Sequence, residues 1–185
     1  LVKTIESAAI PYWYPTYQMP EGYNTEQPKR SHGITNVHHF YTKRNLWVLA
    51  CLWSKSQTAS IKSPILFLNE QVIWGMSKLA RYVPTHYSQV NQYLSGTLYI
   101  GSQVVEVTPR YILENKIGNL NKAFNKVHSI EENIISTNSA NSINLPSNST
   151  DYIFTDPPFG NNLMYSELNS LWESWHKVLT NNRPE

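Results

Sequence analysis

A single cysteine, Cys51, stands in the whole chain. It excludes an internal disulfide framework and any zinc site built on several thiolates, and it fits a reducing cytoplasm. Apolar runs fall far short of the roughly 20 residues that cross a bilayer, and no basic region leads into an apolar stretch near residue 1. Neither a membrane span nor a targeting signal is expected. Charge is scarce as well: Asp, Glu, Lys and Arg supply 15% of the 185 residues, against the roughly 25% usual in soluble domains. A net charge of +2 at pH 7 permits a nucleic-acid partner without requiring one. Glycine is the most informative shortage. The seven are Gly22, Gly33, Gly75, Gly96, Gly101, Gly118 and Gly160, and no two of them have the G-x-G spacing.

What the chain does have is apolar and aromatic material, with six Trp and twelve Tyr in a 41% hydrophobic composition. That suffices for the core of one domain, or of part of a larger one. The first forty residues mix Pro, Tyr and polar side chains without a sustained period, and read as a surface-following segment or a partner-contacting arm. Regular structure is expected from Thr42, a candidate N-cap, because Leu46, Leu49, Ala50 and Trp53 then share one helical face over about 43–54. Pro64 suits the first turn of a second helix running until Pro84, with Gly75 weakening it. "VNQYLSGTLYIGSQVVEV" reads as extended structure broken at Gly96 and Gly101. Thr108-Pro109 opens a helix whose apolar stripe is Leu113, Ile117, Leu120, Phe124 and Val127.

Beyond it, "NIIST" and "DYIFT" read as short strands joined by a Ser/Asn-rich loop, and Leu168, Leu171, Trp172, Trp175 and Leu179 line a helix over about 164–179. The Trp172 and Trp175 stripe suits a core, or a face toward a missing part. Strand, loop, strand and helix in that order predict an α/β architecture. The apolar "DYIFT" runs directly into "DPPFGNN". Each proline fixes its own φ near −65° and pushes the preceding residue out of the helical region, so Asp156 and Pro157 are both held extended. A stiff turn at a strand end presents the Asp156 carboxylate and the Pro157 carbonyl as two acceptors in one direction, matched to the two N–H donors of an exocyclic amine. Phe159 adds a flat face for stacking on a base withdrawn from its duplex. The plainer alternative is a rigid turn with Phe159 in the core.

"DYIFTDPPFG" resembles the (D/N/S)-P-P-(Y/F) motif that follows a short apolar strand in amino-group DNA methyltransferases. "DPPFGNNLMYSELNSLWESW" and "GITNVHHFYTKRNL" are similar to segments of bacterial adenine-specific DNA methylases of the restriction-modification type. The resemblance implies a partial Rossmann-like fold with additional helices. Residues 1–95 would form a family-specific segment contacting DNA or a partner, and residues 96–185 part of the catalytic domain. It implies methyl transfer from S-adenosylmethionine to an exocyclic amine, N6 of adenine, with Asp156 and Pro157 holding the amine, Pro158 stiffening the turn and Phe159 stacking. Ser139 or Asn141 would fill the polar position near the cofactor's adenosine, unless they serve only the turns of their loop. The family's glycine-rich cofactor turn is absent. With no initiating Met, that absence makes an internal piece of a longer methyltransferase, inactive alone, the economical expectation.

"VHHFYTKRNL" adds His38, His39, Lys43 and Arg44 beside aromatic residues, a combination suited to phosphate contact. Lys43 and Arg44 are the candidates for the DNA backbone, against the commoner case of a solvated helix N-terminus. Adjacent histidines diverge on any regular element, and no carboxylate or thiolate cluster accompanies them, which argues against a metal. Two other identities stay open: a ribosomal RNA guanine-N2 methyltransferase, which shares a similar motif, and a non-catalytic nucleic-acid- or protein-binding piece that keeps the motif as a turn.

Overall fold

The computed structural model describes residues 2–86, 89, 92–126, 135, 142–157 and 163–179. Six α-helices carry these residues: α1 Val2–Ser7, α2 Tyr23–His32, α3 Lys43–Gln57, α4 Lys62–Ile73, α5 Pro109–Phe124 and α6 Tyr165–His176. α3 forms as its sequence predicts. The Thr42 side chain accepts from the Asn45 N–H at 3.3 Å, satisfying one of the orphan donors of the first turn. Leu46, Leu49, Ala50 and Trp53 turn inward together and are buried. α4 begins beside Pro64 as expected but ends at Ile73 rather than near Pro84. Gly75 follows, and the Ser77 hydroxyl bonds back to the Trp74 carbonyl (2.6 Å) while accepting from the Leu79 N–H (3.2 Å). Such local side-chain bonds offer the backbone an alternative to continuing the helix.

The expected α/β, partial Rossmann-like fold is not what the chain adopts: among the described residues there is no strand and no sheet. Extended segments meet only in isolated bridges, Gln18 with Asn36 and Arg81 with Val104. The reason is visible in the bonding of the 92–107 stretch. Ile100 donates its N–H to the Gln27 amide oxygen and receives the Gln27 amide N–H on its carbonyl, both at 3.1 Å. A side chain of α2 thus satisfies the backbone groups that a neighbouring strand would have taken. "DYIFT" runs without regular structure, and its Tyr152, Ile153 and Phe154 are at least 74% exposed. "NIIST" lies outside the described residues except for Ile135, which is exposed.

Nor are the first forty residues an arm. Met19 and Val37 donate N–H bonds to Thr35 (2.8 Å) and Tyr17 (2.9 Å), clamping two short segments together. Gly33, at φ 64°, closes α2 with its N–H and that of Ile34 returned to the carbonyls of Lys29 and Pro28, a left-handed cap that glycine adopts without steric cost. Met19, Ile34, Val37 and Phe40 therefore enter the same core as α3 and α6. α5 departs in the other direction. Pro109 opens it as predicted, but Ile112 is its buried residue, while Ile117 and Phe124 of the expected stripe are exposed.

Aromatic rings fill the centre. Trp175 sits edge-on to Trp13 and Tyr41 and tilted against Trp53, with centroids 6.1, 6.4 and 5.5 Å away, and Trp172 stacks on Trp74 at 4.9 Å. α6 is joined to α2 by a buried carboxylate: Glu167 accepts the Asn24 N–H at 2.7 Å. Gly22 makes room for it, since a Cβ there would lie 2.0 Å from Glu167 Oε1. Gly22→Ala is expected to cost about 1–3 kcal/mol through this overpacking. Gly118→Ala, in an exposed turn of α5 with nothing within 4 Å of the new methyl, is expected to stabilise by about 0.5–1 kcal/mol. Urea denaturation midpoints of the two variants check both signs.

Candidate functional site

Asp156 and Pro157 lie exposed at the end of an irregular, exposed segment that precedes α6 in the chain. The motif's position before a helix is as the sequence predicts; its position after a paired strand is not. Pro158 and Phe159 fall outside the described residues, as do Ser139 and Asn141. α6 itself begins where Glu167 and Leu168 donate their N–H groups to the Met164 carbonyl, both at 3.1 Å. The Asp156 side chain is exposed to solvent.

Lys43 and Arg44, adjacent in sequence, have different fates. The Arg44 guanidinium grips the Glu106 carboxylate through Nε (3.1 Å) and Nη2, and the Thr42 hydroxyl donates to the same carboxylate at 2.5 Å. Arg44 is therefore committed to tying the start of α3 to the segment before α5. The pair is partly exposed, so Arg44→Ala is expected to shift stability by no more than about 1 kcal/mol, measurable as a small change in denaturation midpoint at low salt. Lys43 turns the other way and donates to the Glu6 carbonyl at 3.1 Å.

On that side a surface cavity of about 470 Å³ opens, with His32, His38, His39, Lys43 and Lys78 in its wall and Glu6 at its rim. It gathers the His-His-Lys cluster singled out from the sequence and adds Lys78, which sequence reasoning placed within a continuing helix. Lys78 is fixed by its backbone N–H to the Phe40 carbonyl (2.7 Å) and its ammonium to the His39 carbonyl (2.8 Å). Burial lowers its pKa, opposed by the Glu6 charge. The His38 ring packs edge-on to His39 at 4.3 Å and tilted to Tyr14 at 5.9 Å. Burial, and secondarily His39, push the His38 pKa below the usual imidazole value. Its neutral form is favoured in the fold, so protonation as pH falls through that lowered value works against stability. His38 Nδ1 is shielded from solvent and has no hydrogen-bond partner among the described residues. Those residues also include no group of three His, Cys, Asp or Glu side chains able to hold a metal ion. Neither Asp156 nor Pro157 lines this cavity.

Comparison with protein-family models, with curated proteins and with solved structures finds no match to this chain. No helix among the described residues is long and apolar enough to cross a membrane.

Proposed function

We propose that Asp156-Pro157-Pro158-Phe159 is the amine-holding corner of a methyltransferase acting on the exocyclic amine of a nucleobase, N6 of adenine in DNA, in a restriction-modification setting. What supports the reading is the motif's sequence, together with the exposure of Asp156 and Pro157. An exocyclic amine is a poor nucleophile because its lone pair is delocalised into the ring. Two acceptors, the Asp156 carboxylate and the Pro157 carbonyl, would hold its N–H groups and favour the more tetrahedral, reactive geometry. Phe159 would stack on the extruded base. A reducing cytoplasm, where DNA is the substrate at hand, is the compartment that goes with one free thiol.

The methyl donor implied is S-adenosylmethionine. The described residues do not fit it: they contain no glycine-rich turn between a strand and a helix. Its site is therefore assigned to a glycine-rich segment that these 185 residues lack. The chain alone is expected to bind S-adenosylmethionine no more tightly than about 1 mM, roughly 4 kcal/mol. Calorimetric titration checks this, and micromolar binding would overturn that assignment.

Among the described residues no strand ladder lies beside the motif, which favours a second reading, a nucleic-acid- or protein-binding piece that keeps Asp-Pro-Pro-Phe as a turn. Labelled methyl transfer by the protein as its gene encodes it, onto DNA and in parallel onto ribosomal RNA, separates the readings. Label in adenine supports the proposal, label in RNA guanine selects the N2 alternative, and label in neither leaves the binding piece.

A further inference from the structure

We propose that the cavity between α1, the 37–40 turn and the start of α3 is a phosphate-binding site whose cationic groups are Lys43 and Lys78, with His38 and His39 as additional donors. The proposal goes beyond the methyl-transfer reading and does not depend on it. Each ammonium is tethered by one backbone carbonyl, Lys43 to Glu6 and Lys78 to His39. Each keeps two N–H donors for a ligand. Among the described residues neither is in an ion pair, and the one carboxylate at the rim, Glu6, sits on the exposed face of α1, which contributes no buried residue. Two fixed cations facing one movable anion leave a surplus of positive charge.

The donor set selects phosphate over carboxylate. Four ammonium N–H groups, with imidazole N–H groups beside them, exceed what two carboxylate oxygens can accept, while a phosphate offers three or four oxygens. Burial disfavours the Lys78 ammonium, and an anion beside it offsets that cost. The phosphate has two sources, a free phosphate or monoester and a nucleic-acid phosphodiester. Both present the same oxygens.

Isothermal titration of the whole chain with inorganic phosphate, and separately with a short single-stranded DNA, tests the site. Saturable binding is expected, weakened about tenfold by Lys78→Met and by Lys43→Met, as for loss of a charge-assisted hydrogen bond. Glu6→Gln, exposed and harmless to the fold, is expected to tighten binding about threefold by removing the competing carboxylate. Arg110→Ala, on an exposed i,i+4 pair of α5, leaves binding unchanged. Tighter binding of DNA than of phosphate, with the same pattern of variants, assigns the phosphodiester; the reverse order assigns the free anion. No saturable binding of either probe, or binding that Lys43→Met and Glu6→Gln leave within about twofold, overturns the proposal.

Discussion

Asp156→Ala is expected to lower methyl transfer to adenine by about 10²–10³-fold, the loss typical of removing one positioned hydrogen-bonding group at a reacting centre. The effect should fall on kcat rather than on DNA affinity, because the carboxylate is asked to hold the amine at the moment its nitrogen becomes tetrahedral. Asp156→Asn keeps one acceptor oxygen and should retain an intermediate rate. Folding should be untouched: the side chain is exposed, and surface substitutions of this kind stay within about 0.5 kcal/mol. The readout is single-turnover methylation of a duplex by the protein as its gene encodes it, with circular dichroism of each variant alongside. A variant that folds and methylates at the parental rate removes Asp156 from the chemistry and leaves the motif as a turn.

Trp175→Ala is expected to cost about 3–5 kcal/mol, the range for deleting a buried large aromatic ring. Trp175 is 1% exposed and touches rings from three other parts of the chain, Trp13, Tyr41 and Trp53. Its loss opens a cavity at the point where α6 meets α3 and the N-terminal segment, so relaxation cannot fill it from one side. Domains of this size have about 5–15 kcal/mol in hand, and the variant should unfold at a much lower urea concentration with its slope unchanged. Trp175→Phe, which keeps a ring but loses volume, should cost less than half as much. A midpoint shift worth under about 1 kcal/mol for the alanine variant would show that α6 is not integral to the core.

That α6 and α3 were legible in the sequence, and the architecture was not, follows from what each signal measures. Thr42 with Leu46, Leu49, Ala50 and Trp53, and Leu168, Leu171 and Trp175, are periodic apolar sets that bury as a unit, with Trp172 partly buried beside them and Leu179 of the expected stripe exposed beyond the end of α6, so local pattern and tertiary packing agree over the helix itself. Short apolar runs carry no such agreement. "TLYI" within 97–100 looks like a strand, yet Gln27 rather than another strand takes the backbone groups of Ile100. The α5 stripe shows the converse: Ile117 and Phe124 keep helical spacing while remaining exposed, so periodicity stated which residues share a face but not that the face is covered.

The candidate residues divide along the same line. Asp156 and Pro157 were singled out on the stereochemistry of a Pro-Pro pair whose second residue lies outside the described residues, and what the structure adds is that both are exposed. Lys43 and Arg44 looked equivalent as neighbours, and only the fold separates them, by placing Glu106 against Arg44. Lys78 was hidden because its partners, His39 and Phe40, lie in a distant part of the chain and were brought to it by the early end of α4.

The central claim, that Asp156-Pro157-Pro158-Phe159 holds a nucleobase amine for methylation, is tested most directly by nucleoside mass spectrometry. DNA is incubated with the protein as its gene encodes it and with S-adenosylmethionine bearing a labelled methyl group. The account predicts labelled N6-methyladenine with the parental protein and a loss of at least about 10²-fold with Asp156→Ala. Absence of label from the DNA, or equal label from the two proteins, would contradict it.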